Sequence, residues 1–230
     1  MEIPPKQINT QAKSQTSGAA KPSAVQTAIK VNGSVRVVAG VNSSLSYESP
    51  HFTSLATLKT RFPLDNLKQQ YTFADLRTEL AKSPFHIAYF FCHAEGGVKV
   101  DSRIVLQDPV KNAPEFVPSF QFGNLFKGKK WDPPALVFLN ACKSTNYSPE
   151  ALSPFLGTFV DTLGASGLIG TEVDVWDVFA AEIGSIFLEH FLNGEAAGMS
   201  LLKARRILLS KKNPLGLVYT LFAAADLHLE

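Results

Sequence analysis

Apolar residues in this chain gather into short blocks of two kinds. Residues 86–93 (HIAYFFCH) and 135–142 (ALVFLNAC) form nearly continuous runs, each eight residues long. Runs of this type are the pattern of strands buried on both faces of a parallel sheet. Residues 34–41 (SVRVVAGV), 103–108 (RIVLQD), 167–171 (GLIGT) and 217–223 (LVYTLFA) predict further strands. Elsewhere the apolar positions take helical spacing. Thr72 and Asp75 make a capping box for a helix through Leu76 and Leu80. Ser153 and Pro154 read as the N-cap and first residue of a helix that buries Phe155, Phe159, Val160 and Leu163 and stops at Gly164. Two more helices are expected, one over about residues 177–192 closed by Gly194, the other over about 200–211 ending before Pro214. Strands alternating with helices predict an α/β fold, a three-layer sandwich with helices flanking a mostly parallel central sheet. The stretch from Gly96 to Pro134, with several Pro and Gly, reads as a surface excursion holding one short strand.

Composition divides the chain in two. Residues 1–30 contain no aromatic and are rich in Gln, Ser, Thr, Ala, Lys and Pro, which cannot repay the entropy of ordering. They read as a disordered tail or linker, with residues 31–230 as one folded domain. The tail's four lysines against one glutamate give +3, so of the chain's +2 the domain carries −1. A domain without a clustered basic excess is not expected to bind nucleic acid. No apolar segment of signal-peptide type occurs in residues 1–10, and no run approaches the roughly eighteen apolar residues of a membrane span. The expectation is a cytoplasmic protein that does not bind membranes. The chain's two cysteines, Cys92 and Cys142, make no disulfide framework.

The candidate chemistry lies at the ends of the two apolar runs. In parallel sheets, catalytic groups gather at the carboxyl ends of strands, which would put His93 and Cys142 on one rim. A lone thiol is a weak nucleophile near neutral pH, and a nearby imidazole is needed to generate or stabilise the thiolate. Cys92 alternates to the opposite strand face and is expected to be inert. Three local patterns lead nowhere. GNLFKGKK (residues 123–130) has Lys130 where a phosphate loop needs Ser or Thr, HAE (93–95) lacks the second cysteine pair of a zinc deaminase, and Ser144 lacks the G-x-S-x-G setting of a serine hydrolase.

FFCHAEGG (residues 90–97) and LVFLNACKST (136–145) resemble the two motifs of CHAT domains, the caspase-like cysteine peptidases often fused to tetratricopeptide repeats. The interval of 49 residues from His93 to Cys142 matches the spacing seen in caspases. LGASGLIGT (163–171), EVDVWDVFA (172–180), FLNG (191–194) and LLKARR (201–206) follow in the family's order. Ala94 replaces the usual Gly, and a Trp stands at Trp176 instead of at position 173. The resemblance implies a cysteine endopeptidase that uses His93 and Cys142, holds the oxyanion on backbone N–H groups near Ala94 and Cys142, and needs no cofactor or metal. It also implies specific protein substrates and a regulatory protein partner or sensor, and by analogy a homodimer formed along the last strand. Glu172, Asp174 and Asp177 fall where such peptidases line the pocket for the side chain before the cut, and acids there would favour Lys or Arg. Asp177 reads equally well as a helix cap. The alternative to an enzyme is a catalytically silent caspase-like scaffold.

Overall fold

In a computed structural model of the chain, the described residues are 26–230 apart from 66, 83, 98–99, 127, 143–148 and 172. The order of elements is β1 (Ala28–Ile29), β2 (Val37–Val41), α1 (Glu48–Thr57), β3 (Lys68–Gln70), α2 (Phe73–Ala81), β4 (Ile87–Gly97), β5 (Val100–Gln107), β6 (Pro114–Pro118) and α3 (Ser119–Leu125). These are followed by β7 (Leu136–Cys142), α4 (Pro149–Leu156), β8 (Gly167–Thr171), α5 (Asp177–Leu192), α6 (Ala197–Ser210), β9 (Tyr219–Ala223) and β10 (His228–Leu229). The central sheet has the order β3-β2-β4-β7-β8-β9, and its first five strands are parallel. β9 closes one edge antiparallel to β8. The fold is the expected α/β sandwich with a mostly parallel sheet between two helix layers.

Strand alternation sorts the core into two faces. Val37, Ile87, Tyr89 and Phe138 pack with Phe52 and Leu55 of α1, Phe187 of α5 and Leu201 of α6. Val38, Phe90, Cys92 and Val137 pack on the other side with Leu76 of α2, Phe122 of α3 and Phe155 of α4. Each of these leucines and phenylalanines is at least 95% buried, which stabilises the fold by roughly 1.5–3 kcal/mol per side chain. Among the described residues, no helix is long and apolar enough to cross a membrane.

Several boundaries differ from the expectation. β4 does not stop at His93 but continues to Gly97, pairing antiparallel with β5, which pairs in turn with β6. The excursion after Gly96 is therefore a hairpin built onto the sheet, followed by α3. β6 begins and ends with proline, which hides it from pattern reading and fits an edge position. α4 begins at Pro149, so Pro154 lies within the helix, and a π-helical stretch (Gly157–Thr162) carries it to Gly164 at φ +70°. Pro149 suits a first helical position as well as Pro154 does, and the chain uses the earlier one. α6 starts three residues before the expected Ser200. Ile29 is fully buried and β1 pairs with β10, so the end of the segment read as a tail packs on the domain. Residues 1–25, Ser144 and Lys127 of the phosphate-loop decoy lie outside the described residues. The decoy's Gly123 sits inside α3, near the helix's C-terminal end and not at the start of a helix.

The N-cap half of the capping box forms as read, with the Thr72 hydroxyl accepting from the Asp75 N–H at 3.2 Å and donating to Asp75 Oδ2 at 2.7 Å. Thr72→Ala is expected to lower stability by about 1 kcal/mol, measured by urea unfolding, with the denaturant slope unchanged.

Candidate active site

His93 and Cys142 are direct register partners on adjacent parallel strands, the last of seven consecutive pairs that begin with Ile87 and Leu136. Neighbouring strands lie about 4.8 Å apart, so the two backbone positions adjoin. On its other side His93 pairs with Val105 of β5. β4 thus exchanges partners at this level, because its pairing with β2 ends at Phe91 opposite Val41. Buried Asn42 makes the exchange: its Nδ2 donates to the Val105 carbonyl at 2.9 Å, and its Oδ1 accepts from the Ser44 N–H at 2.9 Å and the Ser44 hydroxyl at 2.6 Å. Sequence reading missed Asn42. Its signal was an Asn directly after an apolar run and before two serines, the signature of an Asx turn.

Beneath this level the core is polar. Asn140, counted within an apolar run when read from sequence, is fully buried, with Nδ2 donating to the Tyr89 hydroxyl and the Ala180 carbonyl, both at 2.7 Å. Its Oδ1 accepts from the Tyr219 hydroxyl at 2.6 Å. His51 Nε2 lies 2.7 Å from the Tyr89 hydroxyl, and burial pushes the His51 pKa down to about 3, so the ring is neutral. A lone amide inside an apolar strand has to find partners, and that was the available signal.

The acids after β8 separate. Glu172 lies outside the described residues, Asp174 is exposed, and Asp177 is the first residue of α5, with Trp176 at the cap. The Asp177 Oδ2 accepts from the Ser46 hydroxyl at 2.6 Å and the Tyr47 N–H at 3.0 Å, tying the start of α5 to the loop before α1. Partial burial pushes its carboxyl up, but the hydrogen bonds from Ser46, Tyr47 and Val178 outweigh this and hold it below its ordinary value. Ala94 is buried, and Cys92 is fully buried in the helix layer with α2, α3 and α4, where burial pushes its thiol well above the usual range. A thiol in that state is inert, as the strand alternation predicts.

The fold is an α/β sandwich with a histidine and a cysteine in register on adjacent parallel strands. A sequence profile described as CHAT domain matches residues 49–220, and the chain belongs to that family. It is similar to a probable protease of Vitiosangium sp. (strain GDMCC 1.1324), 36% identical over 151 residues that make up 63% of this chain and 19% of the relative. The chain thus corresponds to a small part of that protein's length.

The Asp177 tether stabilises the fold in full above the ordinary aspartate value of 3.8 and is lost as the pH falls through the lower value of the folded state. Asp177→Asn should reduce the melting temperature at neutral pH and lessen its further fall in acid, as followed by thermal melts from neutral pH downward.

Proposed function

We propose that the chain is a cysteine endopeptidase with Cys142 as nucleophile and His93 as its acid–base partner. The observation that carries this reading is the register that pairs the two residues at the point where β4 changes neighbours. Strand ends of parallel sheets are where a fold can present such groups to a ligand. In the proposed reaction, His93 takes the thiol proton and Cys142 attacks the scissile carbonyl carbon. Backbone N–H groups near Ala94 and Cys142 bind the oxyanion. Collapse of the intermediate breaks the peptide C–N bond as His93 protonates the leaving amine, and water then hydrolyses the thioester. No cofactor enters this sequence.

The acidic loop after β8 would favour Lys or Arg before the cut, with Glu172 and Asp174 as the carboxylates offered to substrate and Asp177 holding the loop in place. The substrates are proteins, and a regulatory partner or sensor would control access. The chain matches only 19% of its protease relative, which leaves room in such a protein for a sensor. β9, the outer strand of the sheet, is where a second copy would pair.

The test is peptide-library cleavage together with labelling by a cysteine-reactive probe. Cys142→Ala should abolish cleavage, His93→Ala should abolish both cleavage and Cys142 labelling, and Cys92 should stay unmodified in the native protein. Cleavage that persists in Cys142→Ala ends the proposal.

A further inference from the structure

The ladder of β7 with β4 reaches Cys142, and among the described residues its register with β8 runs from the Leu136–Gly167 pair to the Leu139–Gly170 pair. Asn140, two residues before Cys142, adds side-chain connections to this end of the strand, reaching the Ala180 carbonyl in the first turn of α5 and the Tyr219 hydroxyl at the start of β9.

The direction of each hydrogen bond follows from chemistry. A carbonyl only accepts, so the Ala180 oxygen sets which end of the amide is Nδ2. The Tyr219 hydroxyl then donates to Oδ1, and the second Nδ2 hydrogen goes to the Tyr89 oxygen. A consistent assignment has Tyr89 donating its own proton to His51 Nε2 and the imidazole hydrogen on Nδ1, facing the Ser185 hydroxyl at 3.3 Å. One consistent chain of donors thus runs from β9 through β7 and β4 to α1 and α5. Gly184 of α5 lies directly against it. A Cβ at that position would be 2.4 Å from the Tyr89 hydroxyl and 2.7 Å from Asn140 Nδ2, so the chain closes only over a residue without a side chain.

Stability alone does not call for this arrangement, because matched apolar groups in place of a buried polar set are often neutral or better. What an amide with three partners adds is a single allowed rotamer and a fixed strand height. Resting on the dyad reading above, we infer that Asn140 is a positioning residue for Cys142. With Tyr89, Tyr219 and Gly184 around it, it sets the height of the β7 tip against His93. It does not touch substrate.

The experiment compares full-length Tyr219→Phe, Gly184→Ala and Asn140→Ala with a control, Leu76→Ala, which opens a cavity on the opposite face of the sheet. The readouts are kcat and KM on a library-derived peptide, the pH profile of Cys142 alkylation by iodoacetamide, and thermal melting. The network variants should lose on the order of ten- to a hundredfold in kcat with KM nearly unchanged, and should slow or shift the alkylation profile. Leu76→Ala should lower the melting temperature while leaving kcat and alkylation at the parent's values. Tyr219→Phe keeps its ring and Gly184→Ala keeps every donor and acceptor, so these two decide the outcome if Asn140→Ala does not fold. Parent-like kcat and alkylation in folded Tyr219→Phe and Gly184→Ala overturn the positioning role and leave the dyad standing. Alkylation of Cys142 that is indifferent to His93→Ala in the parent background overturns the dyad, and the positioning role with it.

Discussion

Seven consecutive pairs between β4 and β7 hold the centre of the sheet, and the rest of the molecule depends on their register. Both strands are buried on both faces, so a slip of one residue would send every side chain to the wrong helix layer. Tyr89 and Asn140 would leave the α1–α5 face, where their hydrogen-bond partners are, and enter an apolar layer packed with phenylalanines. An unpaired buried amide costs about 1–3 kcal/mol, so the polar pair enforces the register that the apolar residues permit.

The same register determines what the sheet can offer. His93 stands where β4 gives up a parallel neighbour and takes an antiparallel one, with β7 still beside it. The hairpin of β5 and β6 extends the sheet on one side only, and Asn42 pins its edge to the end of β2. His93 is partly exposed, whereas its neighbours Cys92 and Ala94 are buried. Asp177 anchors the loop that follows β8 through Ser46 and Tyr47, so the loops after β2 and β8 are tied to each other.

Much of this was legible along the chain because local chemistry writes it there. The capping box at Thr72, the glycine stops at Gly164 and Gly194 and the bounds of α5 all lie within a few residues of their causes. The buried parallel strands announced themselves by apolar runs, and His93 and Cys142 by ending them. The start of α4 was misplaced because two prolines compete for one role, and β6 was missed because its prolines resemble loop residues. Asp177, read as either a pocket acid or a cap, serves as a tether because its partners come from 130 and 131 residues away.

The alternation of strands and helices, the family and the histidine and cysteine that end the two apolar runs are properties of the sequence, since each depends on residue type and short-range spacing. The partners of Asn140, the exchange at Asn42 and the bare face at Gly184 were decided only in three dimensions. The contacts that define the first two span 40 to 79 residues, and nothing local in a chain encodes which distant hydroxyl or carbonyl a buried amide will meet.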